Sequence, residues 1–486
     1  MRRFFSALFL LLVCANTRLV AQTASSGTRE VSIETLNKYG LYDTDRLPPS
    51  FHAGRRKAVL DSMQPGSVAL FVAGPERTRA NDIEYEYHQD ANFYYLTGCL
   101  EAGSALILSK DGFSYTDAND LLLPAGRTVH ELLLVHDRDP AQETWTGRRL
   151  GPAGAMEVLK PEDATSIDSL PSILNQALAK ANHLYYDSHS GKPAEPVFGD
   201  KAASGDSVVR MMLSERYPNI TYSSLRKVLS ALREVKSPDE LRLMRRAISI
   251  SNVAHNRVIH NARPGWYEYQ IQGLAESIFT DSGAEYTAYP CIVGSGPNST
   301  ILHYETNRRQ TKPGDFIEMD MGAEYHGYAA DVTRSFPISG KFTPEQRAIY
   351  SLVLEAQDSG IKLCKAGAPF RSAHWAAVRV ITRGLLSLGI IRDSADYRKY
   401  FMHGTSHYLG LDVHDAGTGG PLKPGNVLTV EPGIYIAEGS PCDKKWWNIG
   451  CRIEDDILVT ENGPENLSAG SPSTIPALEK LLSRSH

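Results

Sequence analysis

The chain has 486 residues, 42% of them hydrophobic, and a formal net charge of −5. Both charge signs are interspersed, which excludes the basic stripe of a nucleic-acid binder, and no internal run reaches the ~20 apolar residues of a membrane-spanning helix. This length supports a large core in two or more domains, and six cysteines are too few for a disulfide-built fold.

Arg2 and Arg3 precede an apolar run from Phe4 to Ala15, and Leu19-Val20-Ala21 follows as a cleavage site. That order is a secretory signal peptide, so residues 1–21 are expected to be removed and the mature protein to be periplasmic or secreted. Cys14 raises lipidation as an alternative, but Val13 stands where a small residue is wanted. Cys99, Cys291, Cys364, Cys442 and Cys451 remain, an odd number that leaves at least one thiol free or paired between chains. Cys442 and Cys451 flank a Trp-rich segment and read equally as a loop disulfide or as two thiols.

Residues 22–50 are polar and end in Pro48-Pro49-Ser50, which predicts an N-terminal arm. Residues 51–236 read as an α/β domain, with strands expected at Ser67–Ala73, Asn92–Thr97, Ser104–Leu108 and Leu132–Val135. A second domain, 237–465, opens at Ser237-Pro238-Asp239-Glu240: a serine N-cap, proline at the first helical position and glutamate at the third. Leu241, Met244, Ala247 and Ile248 continue a helical stripe to about Asn261. Further helices are expected over Glu268–Asp281, from Pro344 to about Ala366, and from Ser372 to about Leu388. Strands follow around Val427–Glu431 and Cys451–Val459. Residues 466–486 read as a Ser/Pro-rich tail with a short helical patch. The fold class is α/β (α+β).

The stretch from Gly314 to Pro337 reads as a hairpin. With Tyr325 and His326 as its central turn residues, Glu324 pairs with Gly327, Met321 with Ala330, and Asp320 with Asp331. Two carboxylates then share one face, roughly 5 Å apart at Cβ, and need a compensating cation. The other reading is an acidic hairpin facing water. Further donors lie downstream. His403-Gly404-Thr405-Ser406-His407 places two histidines four apart, and His414 follows. Glu431 ends an apolar strand, where an acid needs a partner. In the last strand, alternation puts Arg452, Glu454 and Asp456 on one face, so that Arg452 could orient Glu454. Ordinary loop histidines and a surface Arg–Glu pair remain the other readings of these segments. Taken together, two Asp, one His and two Glu form an oxygen-rich set suited to manganese or cobalt rather than to a thiolate site.

Five stretches, IVGSGPNSTILHY, DMGAEYHGYAADVTRSFP, HGTSHYLGLDVHD, LTVEPGIYI and GCRIEDDILVT, resemble in order those of the pita-bread metallopeptidases. Upstream, Asn81-Asp82, Gln89-Asp90, Phe93 to Gly98 and Glu143 to Arg149 are similar to the N-terminal domain of aminopeptidase P. Two small departures are His88, where that family usually has arginine, and Cys99 to Ala102. The resemblance implies a creatinase-like α/β domain followed by a pita-bread catalytic domain. It implies two divalent metal ions, Mn²⁺ foremost with Co²⁺ or Zn²⁺ as alternatives, held by Asp320, Asp331, His407, Glu431 and Glu454. Asp320 would grip one metal and Asp331 bridge both. His303, His403 and His414 fall on active-site histidines, Glu431 doubles as general base, and Arg452 braces Glu454.

The implied activity is release of the N-terminal residue from peptides with proline second, through a hydroxide bridging the metals, by a homodimer or homotetramer with no nucleic-acid partner. Prolidase, a Xaa-Pro dipeptidase, is the alternative. The compact interval between Glu431 and Glu454 and the presence of Ser406 favour aminopeptidase P. A metal-free binding module or creatinase-like enzyme of the same fold is the third reading. It is disfavoured because all five ligand positions hold ligand-competent residues.

Overall fold

The computed structural model describes residues 30–116, 128–186 and 213–483. The expected signal peptide, residues 1–21 with Cys14, lies outside the described residues.

The first domain is built on a six-stranded mixed sheet. Its strands are β1 (Ser67–Val72), β2 (Ala105–Ser114), β3 (Thr128–Val135), β4 (Ala164–Ser166), β5 (His183–Tyr186) and β6 (Thr221–Ser223), in the order β4-β3-β2-β1-β5-β6. Helix α1 (Ile33–Lys38) lies in the arm, and α2 (Pro49–Ser62) starts on the predicted proline pair. Asn92–Thr97, expected as a strand, is instead helix α3 (Ala91–Thr97). The Asp90 side chain caps it by accepting from the Phe93 N–H at 2.8 Å, and Gly98 closes it in the left-handed region. A six-residue aromatic run has no period of its own, so these caps decide its form.

The second domain repeats one pattern: a helix pair followed by strands. Helices α4 (Pro238–Asn261) and α5 (Glu268–Asp281) come first, then α6 (Pro344–Ile361) and α7 (Ser372–Ser387). The predicted capping box at Ser237 and Glu240 is present. Glu240 also accepts from Arg55 of the first domain at 3.0 Å and from the Tyr328 hydroxyl at 3.1 Å, so one cap ties both domains together. A single core joins α4 to α7 with the central strands, and the closing helix α8 (Ile475–Leu482) buries Leu478 and Leu482 in it. Cys442 and Cys451 do not bond to each other; all five described cysteines are free thiols.

The hairpin forms, but in a different register. Strand β7 (Ile292–Ser295) pairs with β8 (Phe316–Asp320), which pairs with β11 (Thr333–Pro337). Between them β9 (Ala323–Tyr325) pairs with β10 (Tyr328–Ala329). The central turn residues are His326 and Gly327, with φ of 49° and 83°. Two adjacent positive φ values make the type I′ turn that matches strand twist, and glycine at the second position allows it. Every rung therefore moves by two residues from the expected register: Asp320 lies opposite Thr333, not Asp331. A shift of two keeps each side chain on its face, whereas a shift of one would have reversed them all. Gly322 is required by contact, since a Cβ there would lie 1.8 Å from the Ala330 carbonyl oxygen.

The turn is clasped by the arm. The buried His326 ring meets Asp45 at 2.8 Å through Nε2 and Glu285 at 2.6 Å through Nδ1. Two carboxylates on two ring nitrogens require an imidazolium. Burial opposes that charge, but Asp45 and Glu285 outweigh it and raise the His326 pKa. Hydrogen bonding from His326, against burial, holds Asp45 down at about 2. Arg46, Arg242 and Tyr325 also face this cluster.

The clasp should therefore be fully formed from above the ordinary Glu pKa of 4.5 up to the ordinary His pKa of 6.5. It weakens as pH rises through the raised His326 value, and again as pH falls toward 2. The hydrogen-exchange protection factors of residues 33–47, with the intrinsic base-catalysed rate divided out, should fall above neutrality in the native chain and show no such fall in His326→Phe. With Asp45 46% exposed, the expected cost of the variant is only about 1–2 kcal/mol.

Candidate metal centre

The strand that ends at Val430 and the strand that pairs with it are both interrupted at an acid. Strand β12 (Val427–Val430) pairs with β15 (Asp455–Thr460), and β13 (Gly433–Ile436) pairs with β14 (Ile449–Arg452). The register is continuous across the gap, with Val430 opposite Asp455 and Gly433 opposite Arg452. Glu431 and Glu454 therefore fall opposite each other where the ladder is broken. The single strand expected over Cys451–Val459 is two strands, because Pro432 supplies no N–H at the break. His407 is set beside them by the main chain: the Thr429 N–H donates to the His407 carbonyl at 3.0 Å, and the Glu431 N–H to the Thr405 carbonyl at 2.9 Å.

Donor atoms of Asp331, His407 and Glu454 lie within 4.8 Å of one another. His407 Nε2 is 3.3 Å from Asp331 and 3.7 Å from Glu431. Its Nδ1–H donates to the Tyr408 carbonyl at 3.0 Å, which leaves Nε2 as the nitrogen facing the acids. Asp320 stands at the edge of the group, held by the Tyr289 hydroxyl at 2.5 Å and the Arg452 guanidinium at 2.8 Å.

The electrostatics of this group are strained in one direction. Burial, then the neighbouring acids, raises the pKa of Asp331 and puts Glu454 well above the ordinary carboxylate range, and burial lifts Glu431 to about 7 against the pull of His407 and Arg452. Burial would lower His407, but Asp331 and Glu431 outweigh it and carry it to about 9. Among the described residues no lysine or arginine forms an ion pair with Asp331, Glu431 or Glu454. Converging carboxylates plus one oriented imidazole nitrogen, short of positive charge, fit hard divalent cations.

Residues 242–461 match the profile of metallopeptidase family M24, and residues 52–185 that of the aminopeptidase P N-terminal domain. The Xaa-Pro aminopeptidase of Escherichia coli is 39% identical over 439 residues, covering 87% of this chain and 96% of the relative. That of Haemophilus influenzae is 36% identical, covering 90% and 98%. The chain belongs to the aminopeptidase P group of family M24. Aminopeptidase P from E. coli, solved with the inhibitor Pro-Leu, superposes with a TM-score of 0.78 at 37% identity, covering 90% of this chain and 98% of that one. Aminopeptidase PepP from Pseudomonas aeruginosa gives 0.79 at the same identity and the same coverage.

In this M24 metallopeptidase the predicted histidines surround the acids. The His414 ring packs edge-on against His407, with centroids 4.4 Å apart. His403 Nδ1–H donates to the Gly404 carbonyl at 2.6 Å, and Nε2 accepts from the Tyr435 hydroxyl at 2.9 Å. Burial, and then Arg452, lowers its pKa to about 3, so this ring is neutral. His303 is exposed on the loop after β7, near enough for its charge to oppose protonation of His403.

Arg452 departs from expectation. It does not hydrogen-bond Glu454; it holds Asp320, lies 2.7 Å from Glu318, and donates to Tyr435 at 2.8 Å and to Thr333 at 3.1 Å. The Thr333 hydroxyl stands between them, accepting from Arg452 and donating to Glu454 at 2.6 Å. Tyr289, Thr333 and Tyr435 were not legible as site residues. A lone tyrosine or threonine carries no spacing signal, and their contacts span 17 to 121 residues of chain.

Proposed function

We propose that this chain is an exported, proline-specific aminopeptidase that removes the N-terminal residue from peptides with proline at the second position. The convergence of Asp331, His407, Glu431 and Glu454, with Asp320 beside them, carries the reading. These five residues would hold two divalent cations, Mn²⁺ before Co²⁺ or Zn²⁺, because oxygen donors dominate the set. When bound, the cations supply Lewis-acid polarisation of the scissile carbonyl and a hydroxide at neutral pH.

The chain's own residues do the rest. Glu431 takes the proton of the attacking water and returns it to the proline nitrogen as that nitrogen leaves. His414 stabilises charge developing on the carbonyl oxygen. The neutral His403, fixed by Tyr435 and Gly404, walls the proline side with His303. Arg452 holds Asp320 in place. A homodimer or homotetramer, formed after loss of residues 1–21, completes the reading; Arg2, Arg3 and the apolar run behind them support export.

The test is one assay. Chelator-treated protein should be inactive, Mn²⁺ should restore it, and Ala-Pro-Ala should be cleaved well ahead of Ala-Pro. Turnover that survives chelation would sink the metal reading. A strong preference for the dipeptide would make the protein a prolidase.

A further inference from the structure

A recess of about 380 Å³ opens beside the carboxylate centre, with His403 to Ser406 as one wall. This is within the range of about 300–1,000 Å³ typical of clefts that bind small ligands. His403 is the partition. On one side it lies 3.7 Å from Glu431. On the other it packs edge-on against Phe401, with centroids 5.1 Å apart, and Phe401 lines the recess. The far wall comes from the start of α7 and the 3-10 turn Ser394–Lys399.

The charge of the recess is one-sided. Arg371, Arg398 and His374 line it, and no aspartate or glutamate does. Asp396, on the same turn, is taken by Lys399 at 2.8 Å. Neither guanidinium has a carboxylate partner among the described residues. Arg371 lies over the Trp375 ring at 5.6 Å, and Arg398 over Tyr397 at 5.7 Å. Both oppose protonation of His374, whose pKa is lowered first by burial and then by these two charges. Beside them Trp375 and Met402 are 44% and 49% exposed, an apolar shelf at the rim. Unpaired positive charge and an exposed indole, continuous with the wall of the catalytic centre, match the carboxylate end of a short peptide.

We propose that this recess receives the substrate residues beyond the proline, with Arg371 and Arg398 engaging a carboxylate there and Trp375 covering an apolar third residue. The proposal rests on the Xaa-Pro reading of the adjoining centre. The carboxylate can come from the peptide's C-terminus or from an acidic side chain.

The experiment compares kcat and KM of the full Mn²⁺-loaded chain for Ala-Pro-Phe, its C-terminal amide, and Ala-Pro-Glu amide. The free acid should be preferred to its amide by about three- to tenfold, and the preference should shrink as salt rises. Efficient turnover of the glutamyl amide assigns the site to any carboxylate; poor turnover assigns it to the chain terminus. In the Arg371→Ala/Arg398→Ala double variant, whose changes are both at exposed positions, the acid-to-amide ratio should fall toward one through KM. Equal turnover of acid and amide by the native chain, or a preference that survives in the double variant, would overturn the subsite alone. Hydrolysis of none of these peptides would sink the Xaa-Pro reading with it.

Discussion

Glu431→Gln should lower kcat by at least about 10³-fold while the chain stays folded. Glutamine keeps the shape and one oxygen acceptor but cannot carry a proton between water and the leaving nitrogen. It also removes a charge from a buried group in which Asp331, Asp320 and Glu454 already repel one another. Stability measured by urea unfolding in chelator should therefore be unchanged or higher by about 1 kcal/mol. A loss of stability would mean that Glu431 supports the fold rather than the chemistry. Single-turnover kinetics on a Xaa-Pro-Xaa peptide should place the defect in the hydrolytic step and not in product release.

Arg334→Met should have the largest effect on stability. Arg334 is fully buried on β11 and pairs with Asp455 at 2.6 Å. It also donates to the carbonyls of Thr333, Glu454 and Ser471 at 2.9, 2.7 and 2.7 Å. Replacing it takes the cation from the buried Asp455 carboxylate, which keeps the Gln357 and Asn466 amides, and removes a donor from each of those carbonyls, which costs about 3–5 kcal/mol. For a domain of this size that is roughly a 10 °C fall in Tm. Because Arg334 holds the main chain on both sides of the gap between β11 and Glu454, metal affinity should fall as well, read as a higher Mn²⁺ concentration for half-maximal activity. Adding Asp455→Asn should recover part of the stability by removing the stranded charge, and little of the metal affinity. Failure of that partial rescue would show that the carbonyl contacts dominate.

Much of this organisation was legible in particular residues. The capping box at Ser237 and Glu240 marks a helix start by itself, because both hydrogen bonds are local. The alternation near Asp320 marked a hairpin strand but left open whether its acids face water or a cation, and the strand is buried along its whole length. The hairpin register was not legible to the residue, since it depended on which pair could adopt positive φ, and His326-Gly327 did so rather than Tyr325-His326. The face assignment survived because the error was an even number of residues. Helix α3 was misread because an apolar run of six has the same appearance in a buried strand and a buried helix.

Local chemistry along the chain thus determined where the helices begin, which acids and histidines could serve a metal, and that the carboxylates outnumber the imidazoles. What only the tertiary structure decided is who holds whom. Arg452 goes to Asp320, Thr333 to Glu454, Tyr435 to His403, and Asp45 of the arm to His326. The physical reason is separation: each of these contacts joins residues 32 to 281 positions apart, across strands whose pairing was set by backbone sterics at a turn and by an interrupted ladder. No periodicity along a chain records which side chain will stand opposite another once such distant segments meet.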